Sequence, residues 1–351
     1  MAEPRSQAAP AVTPVPAAVP AYSILIVGYN SLRFLDGLFA SLQATEFRDF
    51  EILFVDNGSP EPEAEWIEAH IREPRLRLFR SDRNLFFAGG VNLLAREAAG
   101  TRIVLLNPDT KMEPDWLSVI DRGMGSGGFD AVQADLRSFA AKEHRETRGY
   151  FLDPLGFIVH AKPREGSEPY PIFGGRGAGL VIRRDAFLEA GAMDADLEMY
   201  FEETDLCWRL NLLGYRIGYV PGSIIYHLVG GSSRPSFFRW SQFRFIRNRI
   251  LCLIKNFETG TLARRLPPHL LLVCAEILKH LASLRPGLAC SEAAALFATL
   301  RHLGPTLAKR RTVQAMRRVS DAELVERGLM LARSKYFPFG GSGRGREAHG
   351  Q

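Results

Sequence analysis

The strongest constraint on this chain is an alternation, between residues 23 and 106, of short wholly apolar runs with segments that are apolar on one helical face. Residues 23–29 (SILIVGY) are apolar and β-branched almost throughout, as a strand covered on both faces must be. Leu32, Leu35, Leu38, Phe39 and Leu42 then recur at helical spacing. Further apolar runs follow at residues 50–55, 76–79 and 102–106. A helix around Trp66 and Ile67, and another from residues 84–92 through Ala99, separate them. Strands that alternate with helices pair in parallel, so the pattern predicts an α/β fold with a mainly parallel sheet. Ligands of such sheets collect beyond the carboxyl ends of the strands. Asp56, in the turn Asp56-Asn57-Gly58-Ser59-Pro60, and Asp109, after Asn107-Pro108, both fall there.

The middle of the chain is less regular. A glycine run at residues 174–179 (GGRGAG) precedes a strand at 180–183, without the strong strand before it and helix after it that a dinucleotide fingerprint needs. Tyr200-Phe201-Glu202-Glu203-Thr204-Asp205 opens a helix that stops at Gly214 and leads to a strand at 215–220. After about residue 235 the chain reads as helical and turns basic. From 262 to 319 Arg264, Arg265, Lys279, Arg285, Arg301, Lys309, Arg310, Arg311, Arg317 and Arg318 face only Glu276 and Glu292.

Four organisational units are expected. Residues 1–21 are a Pro/Ala-rich disordered leader without the apolar core of a signal peptide. Residues 22–235 form the α/β domain, 236–338 a helical basic region, and 339–351 a flexible tail. The best candidate span, from Leu270, is broken by Glu276, Lys279 and His280, and is shorter than the roughly 20 apolar residues a crossing helix needs. The four cysteines, Cys207, Cys252, Cys274 and Cys290, show no C-x-x-C pair and read as reduced, mostly buried thiols, which favours the cytoplasm. A net charge of +5 permits an acidic partner without demanding one. The aromatics near the basic helices form no stacking platform for nucleic acid.

Asp56 can accept from a nucleobase imide or a ribose hydroxyl, or can close an Asx turn in its own loop. Asp109 is an oxygen ligand of the kind that bridges Mg2+ or Mn2+ to diphosphate oxygens. Glu202, Glu203 and Asp205 place three acids at a helix start. Glu203 shares a face with Leu206 and Leu210 and is expected to point inward, where desolvation and acidic neighbours raise a carboxyl pKa toward that of a general base. A solvated acidic cap is the alternative. Asp205 and Arg209 form an i, i+4 pair with a structural or orienting role. His227, entering a glycine-rich turn, is either a metal or diphosphate ligand or a structural histidine.

Taken in order, Ile26-Val27-Gly28-Tyr29-Asn30, Val55-Asp56-Asn57-Gly58-Ser59, residues 84–92 (NLFFAGGVN) and Leu106-Asn107-Pro108-Asp109 resemble family 2 glycosyltransferases. So do residues 201–209 (FEETDLCWR), Gly214-Tyr215-Arg216, and His227 with Gly230-Gly231-Ser232. Arg247-Asn248-Arg249 is similar to an R-N segment that those proteins carry after the core. The resemblance is greatest to the rhamnosyltransferase-like branch. It implies a GT-A fold (Rossmann-like, a mainly parallel mixed sheet flanked by helices) with a C-terminal helical appendage. It also implies a nucleotide-sugar donor, such as dTDP-rhamnose or a UDP-sugar, and Mg2+ or Mn2+ as cofactor. Donor contacts would come from Asn30, Asp56, Asn57, Asn84, Asn92, Asn107 and Asp109, metal ligation from Asp109 and His227, and catalysis from Glu203 with Glu202 and Asp205. Asn107 stands where the family's D-x-D motif has its first acid, and Glu203 where the family usually has Asp.

The implied activity is inverting transfer of a sugar to a hydroxyl of a glycan or lipid-linked acceptor in cell-surface polysaccharide synthesis. The expected location is peripheral, at the cytoplasmic face of an anionic membrane. The basic helices after Leu262 are either the membrane-associating part or an ordinary helical subdomain. The alternatives are a sugar nucleotidyltransferase, which should carry a basic glycine-rich loop where Gly28-Tyr29-Asn30-Ser31-Leu32 stands, and an inactive transferase-like scaffold.

Overall fold

The computed structural model describes residues 19–334 except 142–143, 163, 165 and 229–234. Most of the expected leader, the whole tail and the Gly230-Gly231-Ser232 motif lie outside the described residues. In chain order the first half comprises β1 (Tyr22–Gly28), α1 (Leu32–Ala44), β2 (Phe50–Asp56), α2 (Glu63–His70), β3 (Leu76–Arg80), α3 (Phe86–Glu97), β4 (Arg102–Leu106), β5 (Thr110–Met112) and α4 (Trp116–Gly127). The middle comprises β6 (Ala131–Ser138), β7 (Arg145–Thr147), β8 (Tyr150–Leu152), β9 (Ile158–His160), β10 (Tyr170–Pro171), β11 (Leu180–Arg183), α5 (Arg184–Glu189), α6 (Glu202–Leu212) and β12 (Ile217–His227). Four helices follow: α7 (Pro235–Asn256), α8 (Thr259–Ala282), α9 (Pro286–Met316) and α10 (Asp321–Glu326).

The main sheet runs β10-β12-β6-β11-β4-β1-β2-β3. β1 pairs in parallel with β2 and β4, and β2 with β3, as the strand–helix alternation requires. β11 enters antiparallel between β4 and β6, which makes the sheet mixed. Successive side chains of a strand point to opposite faces, and the core shows this. Ile24 and Ile26 pack with Leu35, Phe39 and Trp116 from α1 and α4. Leu25 and Val27 pack with Val91 and Leu94 from α3 and Leu206 and Leu210 from α6.

The strand expected at 215–220 begins at Ile217 and runs on to His227, past a register shift between Val220 and Ile224 where Gly222 takes φ +80°. That bulge lets a strand continue through Pro221. β6, a buried central strand, carries Gln133 and Asp135 among its apolar residues, so no continuous apolar run marks it.

The composition shift near residue 235 coincides with the start of α7, but the helices beyond it share a hydrophobic core with the α/β layer. Trp208 and Leu212 of α6 pack with Leu253 and Phe257 around α7 and with Val313, Leu324 and Met330 further on. The Trp208 ring meets Phe257 edge-on at 4.8 Å. Buried on both sides, α6 has no polar face, which overturns the amphipathic argument for its acids: Glu202 is buried and Glu203 half-buried. Cys207 and Cys252 are buried, whereas Cys274 and Cys290 are exposed. Among the described residues no helix is long and apolar enough to cross a membrane.

Candidate functional site

The loops after β1, β2 and β4 gather at one edge of the sheet, where Gly28 sits in register with Asp56. Asp56 is buried and its carboxylate is used locally. Oδ1 accepts from the Ser59 N–H (3.0 Å), and Oδ2 from the N–H groups of Glu63 (2.8 Å) and Ala64 (3.2 Å), the first two residues of α2. It therefore closes an Asx turn and caps a helix at once. Oδ1, with one bond, keeps acceptor capacity for a ligand. Buried Glu63 accepts from Ser31 Oγ at 2.9 Å, tying the loop after β1 to α2. Burial, only partly offset by the Ser31 bonds, pushes its carboxyl pKa up.

Asn57 and Asn84 fix the next loop. Asn57 Nδ2 donates to Asn84 Oδ1 (3.1 Å) and the Phe86 carbonyl (3.2 Å), and its Oδ1 accepts from Leu85 N. These bonds hold Phe86 at φ +57°, a left-handed conformation that a bulky side chain rarely adopts. Asn30 is exposed at φ +52° and donates its N–H to Ser59 Oγ. Asn92 exchanges both amide bonds with the backbone of Met193.

A cavity of about 230 Å3 opens at this edge, lined by Phe87, Asn107, Arg176, Gly177, Tyr200, Glu202, Glu203 and His227. Its two electrostatic poles have separate origins. At one, β5 pairs with the end of β12 so that His227 lies opposite Thr110 and beside Asp109. His227 Nε2 is 3.3 Å from Asp109 Oδ1, and Nδ1 is 3.0 Å from Glu146 Oε2 on β7. Burial alone would lower the His227 pKa, but the bonds to the two carboxylates push it up to about 9. At neutral pH it is an imidazolium held between two acids.

The other pole is the start of α6. Burial, then the charge of Glu203, lift Glu202 well above the usual carboxylate range, and its carboxyl hydrogen-bonds that of Glu203. The raised pKa of Glu202 favours a shared proton on its side of the pair. One oxygen of each (Oε2) is buried without a hydrogen-bond partner. Such an orphan costs about 1–3 kcal/mol, which a donating substrate hydroxyl would recover.

Asp205 does not face the cavity. Fully buried, it takes Arg209 (2.8 Å), Lys255 (3.0 Å) and Asn256 (2.9 Å) on its carboxylate, which hold its pKa low against the upward push of burial. The i, i+4 pair read from the sequence is the structural one. A separate cavity of about 410 Å3 beside this network is lined by Asp194, Asp196, Lys255 and Lys309, whose charges pair with one another.

Three residues near the cavity carried no role in the sequence. Glu146 sits on a strand too short to recognise from its pattern. Arg176 lies inside the glycine run, its guanidinium 3.7 Å from Glu146, where the Gly177 Cα faces the Phe87 ring too closely for any side chain. Asn248, within the R-N segment, donates from Nδ2 to the carbonyls of Leu197 (2.8 Å), Met199 (3.0 Å) and Tyr200 (2.7 Å). That loop contains Glu198, Tyr200 and Phe201 at φ +62°, +69° and +71°, immediately before Glu202.

Among the described residues no group of three or more His, Cys, Asp or Glu is placed to hold a metal ion by itself. A donor set of Asp109 and His227 still fits a hard divalent cation that completes its shell with diphosphate oxygens and water, as Mg2+ commonly does. Glu146 Oε2 stands behind His227 as an orienting acceptor for Nδ1, while the buried Glu146 Oε1 has no partner.

Known proteins resemble this chain in sequence and in fold. Residues 23–191 match the family model described as "Glycosyl transferase family 2". A Mycobacterium tuberculosis protein named N-acetylglucosaminyl-diphospho-decaprenol L-rhamnosyltransferase is 28% identical over 233 residues, 58% of this chain and 75% of the relative. Rhamnosyltransferase WbbL of Escherichia coli is 33% identical over 88 residues, 23% of this chain and 33% of its own length. An uncharacterised Sinorhizobium fredii protein is 27% identical over 59% of this chain, which spans only 24% of that relative. Among solved structures, a mannosyltransferase from Pyrobaculum calidifontis in complex with GDP-Man and Mn2+ aligns over 84% of this chain and 91% of its own, at TM-score 0.51 and 15% identity. GalNAc-T7 with UDP, GalNAc and Mn2+ aligns over 70% of this chain and 49% of its own, at TM-score 0.56 and 17% identity. Both show the GT-A-like fold. Residues 23–191 are a glycosyl transferase family 2 domain, and the relatives that the chain resembles include rhamnosyltransferases.

Proposed function

We propose that the chain is an inverting glycosyltransferase that moves a sugar from a nucleotide-sugar donor to a hydroxyl of a glycan or lipid-linked acceptor in cell-surface polysaccharide synthesis. The observation that carries it is one cavity whose lining brings Glu203, beside a Glu202 with a raised pKa, together with His227, which is itself paired with Asp109. The rhamnosyl transfer to a lipid diphosphate-linked sugar named for the mycobacterial relative makes a rhamnose donor such as dTDP-rhamnose the first to test, with a lipid diphosphate-linked sugar as acceptor and UDP-sugars next.

The chemistry is one displacement. Glu203 takes the proton of the acceptor hydroxyl as its oxygen attacks the anomeric carbon, and the bond from that carbon to the diphosphate breaks. The nucleoside diphosphate leaves carrying the electron pair. A single attack, without a glycosyl-enzyme intermediate, inverts the anomeric centre. Asp109 and His227 would hold Mg2+ or Mn2+, which when bound offsets charge on the departing diphosphate. Ligation by His227 requires its proton to leave, so cation binding should release protons. Arg176, exposed at the cavity rim, is a second countercharge for the diphosphate. Asp56, Asn57 and Asn84 shape the loops on the donor side, and Asn107 lines the cavity beside Asp109. The cytoplasmic face of an anionic membrane is the proposed site of work, supported by the basic, apolar-studded helices after Leu262.

A thermal-shift screen of dTDP-, UDP- and GDP-sugars with and without Mn2+ tests the proposal. Stabilisation by one nucleotide sugar that grows with Mn2+ is expected, and an unchanged melting temperature across the whole panel would count against it.

A further inference from the structure

Beyond the catalytic cavity, the least explained feature is the outward side of α8 and α9. Their inward sides pack through Val273 and Ala295 onto Ile246, Ile250 and Ile254 of α7. The outward side is not polar. On α8, Leu271, Leu278 and Leu281 are 67%, 66% and 50% exposed, with Cys274 and Ala275 between them, at i, i+3, i+4, i+7 and i+10. Leu284, in the turn to α9, is 89% exposed. On α9, Phe297, Leu300 and Leu307 are 68%, 65% and 41% exposed. Two neighbouring helices thus present apolar stripes left exposed among the described residues, a pattern that a solvated subdomain has no reason to keep.

Charge identifies what covers them. Exposed Arg264, Lys279, Arg285, Arg301 and Arg311 flank or interrupt the stripes. Of the two acids on these helices, Glu292 is buried beside His280 and only Glu276 is exposed. An apolar face bordered by cations matches the boundary between acyl chains and anionic headgroups. Neither helix is apolar enough to cross it.

The hairpin also reaches the cavity. Ser291 near the start of α9 donates to the Arg239 carbonyl at 2.6 Å, and the Arg239 guanidinium lies over Gly287. The next residue, Trp240, meets the ring of Tyr200, which lines the cavity, at 6.0 Å between ring centres. Arg244 stacks on Trp240 at 4.0 Å and pairs with Glu198. One turn of α7 therefore joins the exposed hairpin tip to the catalytic wall.

We propose that the outward face of the α8–α9 hairpin docks on an anionic membrane surface and so brings the cavity mouth to the level of the headgroups. The proposal deepens the transferase reading above, since a lipid-linked acceptor would then enter past Trp240 and Tyr200.

The test is flotation of the full chain with vesicles of phosphatidylglycerol and phosphatidylcholine (3:7), or phosphatidylcholine alone. Wild type should float with the anionic vesicles. The triple variant Leu278→Glu, Phe297→Glu, Leu300→Glu should bind at least tenfold less, with an unchanged melting temperature because all three side chains are exposed. The double variant Lys279→Gln, Arg301→Gln should lose most of the preference for phosphatidylglycerol. Equal flotation of wild type and triple variant, or no flotation of wild type, would overturn the proposal. So would a wild-type dimer by light scattering that the triple variant converts to monomer without any vesicle binding, since the face would then join two copies. Donor hydrolysis with Mn2+, measured on the same samples, separates the two ideas: vesicle binding without hydrolysis upholds docking and removes the transferase reading.

Discussion

Asn248 lies on α7, outside the cavity, yet it should control the rate. Its Nδ2 is shared among the carbonyls of Leu197, Met199 and Tyr200, while Arg247 donates to its Oδ1 at 2.9 Å. Asn248→Ala leaves those buried carbonyls without this donor, at roughly 1–3 kcal/mol for each that finds no replacement. The loop it holds contains the left-handed Glu198, Tyr200 and Phe201, each storing about 1–3 kcal/mol that persists only while the surroundings over-determine it. With the clamp gone the loop relaxes, and α6 begins at the very next residue with Glu202 and Glu203. A displacement of about 1 Å at a catalytic group costs on the order of a hundredfold in rate. The expected result is a kcat lower by about that factor with donor KM changed by less than about threefold, because Asp109 and His227 lie on other elements. Asn248→Asp, which keeps the shape and removes the donor, should fall equally. Initial rates at varied donor concentration, alongside a melting curve, make the measurement. A folded Asn248→Ala or Asn248→Asp enzyme with wild-type kcat would refute the clamp.

Other consequences follow from the same contacts. Glu202→Gln mimics the protonated carboxyl, so the rate should stay within about fivefold of wild type. The variant should gain stability in urea at pH 8, because an acid with a raised folded pKa loses stability as pH rises above its unfolded value. Removing everything after Phe257 takes Val313, Val319, Leu324, Leu329 and Met330 out of the core around Trp208. At about 2 kcal/mol per buried side chain that loss rivals the whole stability of a domain, so residues 1–257 should fail to give a cooperative melt. Burial, then Arg249, hold the His269 pKa down at about 3. The unfolded chain therefore binds the extra proton between about pH 6.5 and 3, and stability should fall by up to about 1.4 kcal/mol per pH unit as pH drops through that window. His269→Leu should flatten that limb in urea titrations between pH 6 and 4.

The parallel half of the sheet was legible because β1, β2 and β4 are buried on both faces and read as unbroken apolar runs. The positions of Asp109, His227, Glu202 and Glu203 in the fold were legible because strand ends and a helix start are recognisable places. The orientation of the two glutamates was not. That inference assumed a helix with one wet face, whereas α6 lies between two cores, the second built partly by residues beyond 250. Asp205 was read correctly as a partner of Arg209, but Lys255 and Asn256 on α7 complete its shell at a separation no local pattern reveals. Glu146 and Arg176 were hidden for a similar reason: one sits on a three-residue strand, and the other in a glycine run that builds a wall rather than a phosphate loop.

Glu203→Gln tests the central claim most directly, with donor binding followed by calorimetry and sugar transfer by product formation on one preparation. Donor affinity close to wild type, with transfer reduced by about two to four orders of magnitude as expected for loss of a general base, is the predicted result. Turnover near the wild-type rate in a variant that binds donor normally would contradict it and remove Glu203 from the chemistry.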